Sequence, residues 1–238
     1  LALAYETRHL KVDIGSTPLG FTAATLAGGL SYNETFGGVS LKVDVSRRAV
    51  TDSLLSYAGT VDDRTGQKWG GVTATGGRAE VGVEEGPFGV YGYGSYHLLS
   101  GKNVVRNSRF EAGAGAFYKL FREEDNELTV GVSLTAMGYD KNLRYFTFGH
   151  GGYFSPQRYL SLSLPVEWTG RSGALSYKLD ASVGVQTFRE NDAPYFPGSS
   201  ALQAEWESLA TVGAAPTGVT WKTFYPGQTK TGLGFRIT

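Results

Sequence analysis

Hydrophobic residues in this chain recur at every second position, run after run, and that period confines most of it to β-sheet. Leu128, Val130, Val132, Leu134 and Ala136 fall on one side of an extended strand, with Thr129, Gly131, Ser133 and Thr135 on the other. The same split appears at Val39, Leu41, Val43 and Val45 against Ser40, Lys42, Asp44 and Ser46, and at Leu160, Leu162, Leu164, Val166 and Trp168 against Tyr159, Ser161, Ser163 and Glu167. It returns at Leu175, Tyr177, Leu179, Ala181, Val183 and Val185 against Ser176, Lys178, Asp180, Ser182 and Gln186. The pattern predicts about ten strands, at 3–14, 27–34, 38–48, 70–84, 88–99, 108–121, 127–140, 157–168, 174–188 and 229–237. No helix of useful length is expected.

Alternation alone does not separate a soluble sandwich from a membrane barrel, but the links do. Those near 33–37, 85–87, 122–126 and 169–173 are short and rich in Gly, Asn, Asp and Pro, whereas 15–26, 49–69, 100–107, 141–156 and 189–228 are long. Strict short–long alternation is what an up-and-down barrel with short turns at one end and long loops at the other produces. The expected fold is therefore all-β: an antiparallel up-and-down transmembrane β-barrel. The charges agree, because Lys42, Asp44, Glu80, Glu84, Arg109, Glu111, Lys119, Lys178 and Asp180 lie mid-strand on the polar face. In a packed core they would be expensive; facing a watery lumen they cost little. The final predicted strand follows a long loop with no visible returning partner, so the 238 residues are expected to be one barrel domain, incomplete at both ends.

Other classes recede on composition. Lys plus Arg equal Asp plus Glu at 22 each, which gives no field for nucleic acid. There is no cysteine, hence no disulfide and no thiolate chemistry. No apolar run approaches the roughly 20 residues of a membrane helix. A Ser155–His150–Asp192 triad or an Asp52–His150 pair can be written down, but neither carries a supporting motif. Glu80, Glu84 and Glu85 follow one strand into its turn and read as pore lining rather than a glycosidase pair. The acidic turn 123–125 suggests no metal, and no catalytic residue, metal or cofactor is expected.

Aromatic residues gather in or beside the long links: Trp69, Tyr145, Phe146, Phe148, Tyr153, Phe154, Tyr195, Phe196, Trp221, Phe224 and Tyr225, with His150 among them. Rings beside Gly and Pro hinges can stack on sugar faces, and an external gate or guide is expected from Trp69, Tyr145, Phe146, Phe148, His150, Tyr153, Phe154, Tyr195, Phe196 and Tyr225. For any single ring, an interfacial girdle or loop packing is the favoured reading over ligand contact. A second set, Tyr91, Tyr93, Phe117, Phe121 and Phe188, is assigned to the polar face, where a sliding polymer would give it a purpose. With Glu80, Glu111 and Asp180 it forms the expected polymer-binding lumen. The mixed sign of the charges there favours a neutral glycan over an anionic one.

Three long runs, at 12–21 (VDIGSTPLGF), 50–59 (VTDSLLSYAG) with 65–72 (TGQKWGGV), and 145–159 (YFTFGHGGYFSPQRY), resemble the C-terminal outer-membrane barrel of the cellulose exporter that works with bacterial cellulose synthase. The resemblance continues through 188–190, 195–198 and 225–228, departing locally at 62–66. It implies an outer-membrane barrel of about sixteen strands, preceded by a periplasmic tetratricopeptide scaffold absent from this chain, that exports cellulose. Implied partners are the glucan, outer-membrane lipid, and the periplasmic and inner-membrane synthase subunits. The alternatives are an exporter of an amino-sugar polymer, a general diffusion porin, an outer-membrane hydrolase and a soluble β-sandwich adhesin.

Overall fold

A computed structural model describes residues 2–123, 125–211 and 222–238; Glu124 and Trp221 lie outside the described residues. Its strands are β1 (Ala2–Glu6), β2 (Leu10–Ser16), β3 (Leu26–Phe36), β4 (Val39–Ala49), β5 (Thr60–Val61), β6 (Lys68–Glu85), β7 (Phe88–Lys102), β8 (Val104–Glu123), β9 (Asn126–Tyr139), β10 (Arg158–Ser172), β11 (Leu175–Glu190), β12 (Ala193–Pro194), β13 (Phe224–Tyr225) and β14 (Gln228–Ile237). Two helices, α1 (Leu54–Ala58) and α2 (Ser200–Thr211), sit in the long links.

The main sheet runs β1-β2-β3-β4-β6-β7-β8-β9-β10-β11-β14, with every neighbouring pair antiparallel. This is the up-and-down order of a barrel wall, left open, with β1 and β14 as its edges. The turns after β1, β3, β6, β8 and β10 are tight and fall at one end. At the turn between β3 and β4, Gly37 and Gly38 have φ of 55° and 86°, a left-handed pair that side chains resist.

Register carries the alternation across the whole sheet. Tyr5 opposes Val12, which opposes Leu30, which opposes Val45; further round, Ala114 opposes Leu134, which opposes Leu162, which opposes Val185, which opposes Leu233. One face is thus aliphatic from edge to edge, and none of the described residues covers it. Even on interior strands, Val45 is 58% exposed, Phe110 56% and Leu164 54%. A soluble sandwich would bury this face under a second sheet, gaining about 1.5–3 kcal/mol per large side chain. An apolar face of this extent left bare fits lipid rather than water. Tyr5, Phe36, Phe88, Tyr118 and Trp168 mark its margin at the short-turn end, where an interfacial aromatic girdle belongs.

Four sequence-based expectations are corrected. The strand predicted at 3–14 is two strands, because Thr7 closes a turn: its backbone N–H donates to Leu10 O at 2.8 Å and its Oγ1 accepts from Leu10 N at 3.0 Å. The link at 100–107 is one residue, Asn103, at φ 47°, with its side-chain amide donating to Lys68 O at 2.9 Å and Gln67 Oε1 at 3.1 Å. Helices do form, and α2 is three turns long; its run SALQAEWESLAT is rich in helix formers, and Leu202 and Trp206, four apart, both pack on the core. Finally, a bulge between Lys119 and Phe121 shifts the register so that Phe121 opposes Leu128, putting it on the aliphatic face rather than the polar one.

Candidate functional site

The polar face presents aromatic rings laid flat against the strands. Tyr91 opposes Gly115, Tyr93 opposes Gly113 and Phe117 opposes Gly89. A Cβ built on those glycines would meet the opposing rings at 2.6, 2.5 and 2.1 Å respectively, so the ring must cover the bare backbone there. Each ring therefore has one face against the wall and one away from it. Tyr93 has lost its free face, since the Arg78 guanidinium lies 3.5 Å from its centroid. Tyr91 keeps its own, Phe117 has the Lys119 ammonium 5.9 Å from its centroid, and both line a groove of about 500 Å³ with Ser40, Glu80, Gly82 and Glu84. Phe188, three strands round from β8, meets Phe154 edge-on at 5.0 Å and so lies under the loop 140–157.

Many of the charges on this face are paired, although Lys42, Asp44 and Arg109 form no ion pair among the described residues. Arg78 is 2.7 Å from Glu80 and 3.7 Å from Glu111, Lys119 pairs with Glu84, and Arg48 with Asp13. Lys178 is 3.0 Å from Glu167 and 3.6 Å from Asp180. Glu80, Glu111 and Asp180 are thus on the polar face as expected, but each is engaged with a cation. Such a surface offers hydrogen-bonding groups with charges of both signs interspersed, which suits a neutral polyol chain.

At the long-loop end the links fold into a compact cap on the polar face. Leu55 of α1, Trp69 and Val72 of β6, Leu99 of β7 and Val104 of β8 form one buried cluster with Leu143, Phe148, Tyr153 and Phe196 of the loops. Trp69 Nε1 donates to His150 O at 2.6 Å, and Val105 N donates to Gly149 O at 2.9 Å, which fastens 140–157 to β6 and β8. Asn107 bonds Lys141 O at 2.8 Å and the Tyr153 hydroxyl at 3.1 Å. Gly149, at φ 100°, approaches Gly198 so closely that an added Cβ would lie 2.3 Å from Gly198 N, and the two long loops interlock there.

Tyr145, Tyr225 and Tyr195 make a three-ring stack, with centroids 3.7 and 4.1 Å apart, and His150 meets the first two edge-on. His150 is fully buried, with Nε2 2.9 Å from Pro194 O. Burial pushes its pKa down to about 4, so the ring is neutral at ordinary pH. Burial likewise raises the phenols of Tyr145, Tyr225 and Tyr153 above their usual value. Below the stack, the buried Glu190 carboxylate holds Arg144 at 2.6 Å and Gln228. Sequence reasoning misses both Glu190 and Arg144: a charged pair split between the end of β11 and a long link leaves no local pattern.

The expected gate residues accordingly divide. Trp69, Phe148, His150, Tyr153 and Phe196 are the interior of the cap and, as folded, inaccessible to a ligand; tertiary packing claims rings that the sequence leaves open to either use. Tyr145, Phe154, Tyr195 and Tyr225 are half-buried, and Phe146 is exposed. The hydrolase arrangements do not assemble. Ser155 Oγ accepts from Leu143 N at 2.8 Å and donates to Tyr153 O at 3.2 Å, Asp192 accepts from Gly227 N, and Asp52 accepts from Phe154 N at 3.0 Å. Each polar group is spent on backbone.

Comparison with known proteins places this geometry in context. The family described as Cellulose synthase operon protein C C-terminus matches residues 1–238. A cellulose synthase operon protein C of Pseudomonas fluorescens (strain SBW25) is 44% identical over 224 residues, covering 92% of this chain and 17% of that protein. Its counterpart in Xanthomonas axonopodis pv. citri (strain 306) is 41% identical over 243 residues, covering 100% of this chain and 16% of that protein. In Komagataeibacter xylinus the identity is 38% over 224 residues, with 94% and 17% covered. The chain thus spans about a sixth of the length of these relatives. Among solved structures, OmpT, an outer membrane protein of Vibrio cholerae, aligns with a TM-score of 0.46 at 10% identity, covering 100% of this chain and 63% of that one.

Proposed function

This chain belongs to the cellulose synthase operon protein C C-terminus family, and from that premise we propose that it is part of the wall of an outer-membrane channel through which cellulose leaves the cell. The observation that carries the reading is the two-faced sheet: an uncovered aliphatic face for lipid, and opposite it a polar face of mixed, largely paired charges bearing flat rings. A pyranose presents C–H bonds on its face, and these pack on the negative face of an aromatic ring without fixing a register. Tyr91 and Phe117 offer such faces; the hydroxyls and paired charges beside them exchange hydrogen bonds with sugar hydroxyls as the polymer slides. No step of this process makes or breaks a covalent bond, so the role is passive conduction.

By the ordinary orientation of outer-membrane barrels, the short turns face the periplasm and the long links face outside. The cap then closes the external mouth, and its half-buried rings, Tyr145, Phe154, Tyr195 and Tyr225, meet the emerging glucan as it loosens. The synthase subunits of the periplasm and inner membrane deliver the polymer to the short-turn end.

The test is conductance of the full-length protein in planar bilayers, with cello-oligosaccharides added on the short-turn side. Dose-dependent block that weakens in the Tyr91→Ala/Phe117→Ala double variant is the expected result. Conductance indifferent to glucan would point to a general porin, and block by amino-sugar oligomers alone to a different polymer.

A further inference from the structure

Many charges of the polar face are paired, while on the aliphatic face Arg47, Arg158 and Arg189 stand without a carboxylate partner among the described residues. Arg158 of β10 and Arg189 of β11 are directly opposed across the ladder, both exposed. Among the described residues neither side chain has an ion-pair or hydrogen-bond partner. Like charges placed opposite one another destabilise a sheet, and cross-strand Cβ atoms are only about 4.5–5.5 Å apart. Thr229 of β14, also exposed, opposes Arg189 and adds a hydroxyl.

Their position is as informative as their pairing. Both arginines occupy aliphatic-face positions: Leu160 and Leu162 follow Arg158 on that face, and Val185 and Val183 precede Arg189. They lie at the long-loop end, where the aliphatic stripe stops. Arg47 ends the Val43–Val45 stripe in the same way, with Leu26 O and Thr75 Oγ1 as its partners among the described residues. Nearby carboxylates are spoken for: Asp140 by Lys141, Asp192 by Gly227 N, and Glu190 by Arg144 and Gln228. The opposite margin carries Glu34 and Glu85 instead.

We propose that Arg158 and Arg189, with Thr229, bind a phosphate on the headgroup of an outer-leaflet lipid, the phosphorylated glucosamine of lipid A. Two adjacent guanidinium forks match the geometry of a phosphate, whose charge relieves their repulsion. A lipid is the phosphate source that this site fits, because its acyl chains lie along the bare aliphatic stripe immediately below.

This inference rests on the membrane-channel reading, and one experiment separates the two. Full-length protein is floated with vesicles of phosphatidylethanolamine and hexa-acyl lipid A, then released and weighed by native mass spectrometry, alongside the R158Q/R189Q variant. That variant is expected to fold, since it removes a repulsion. Wild type should retain lipid A, and the variant roughly tenfold less, the loss expected from one or two charge-assisted hydrogen bonds. Lipid A stripped of its phosphates should be retained no better than by the variant. Equal retention by both proteins, equal retention of the stripped lipid, or displacement by millimolar inorganic phosphate would each overturn the lipid site. Failure of the wild type to float overturns the membrane reading and this inference with it.

Discussion

Trp69→Ala, made in the full-length protein, is expected to unfold the cap while leaving the barrel wall assembled. Trp69 is 5% exposed, packs against Phe148 in the cap core, and donates from Nε1 to His150 O at 2.6 Å. Truncating a buried tryptophan costs about 3–5 kcal/mol, and the His150 carbonyl also loses its donor. The cost falls on the cap alone because the ladders of β6 with β4 and β7 are backbone bonds between residues that remain in place. Amide exchange in 141–156 should accelerate by two to three orders of magnitude at about 1.4 kcal/mol per decade, with the strand amides of β8–β11 unchanged. Single-channel conductance should rise in the same variant. Trp69→Phe, which keeps the bulk and loses only the donor, should do markedly less.

The second large effect is expected from two neighbouring arginine substitutions. Leu162 and Ser163 adjoin on β10 and point to opposite faces: Leu162 lies between Leu134 and Val185 on the aliphatic side, Ser163 between Ser133 and Gly184 on the polar side. Leu162→Arg places a charge in hydrocarbon and should cost about 2–4 kcal/mol of folding free energy in a bilayer. Ser163→Arg adds the same group to a surface already holding Glu167 and Lys178, and should cost little stability while altering conductance. Reversible folding into lipid vesicles, followed by tryptophan fluorescence across denaturant, measures both. A soluble sandwich, whose aliphatic face packs on protein, would also lose heavily at Leu162→Arg, but it would need no lipid to fold.

How far the sequence alone reaches follows from which interactions are local. Strand period, tight turns and the division into two faces are written within a few residues, and Val39–Val45, Leu128–Ala136 and Leu160–Trp168 lie in the structure on the face expected of them. Tyr91, Tyr93, Phe117 and Phe188 also fall on the polar face. Phe121 does not, because one inserted residue in a bulge reverses every side chain beyond it, and an aromatic run gives no sign of where the bulge falls. Rings in the long links are visible in the sequence, but not which of them are buried: Trp69 and Tyr153 meet only through contacts between residues far apart in sequence. The same holds for the arginines of the outer rim. Arg158 and Arg189 stand on different strands and become neighbours only through the β10–β11 register.

The claim on which the rest depends is that alternate residues of each strand meet lipid and water. The chain has no cysteine, so single cysteines at 160, 161, 162, 163 and 164 can be placed in the otherwise native protein and labelled in vesicles with a membrane-impermeant maleimide. Labelling at 161 and 163, with 160, 162 and 164 protected until detergent is added, is the predicted result. Uniform labelling along the strand, or protection of 161 and 163 instead, would contradict the account.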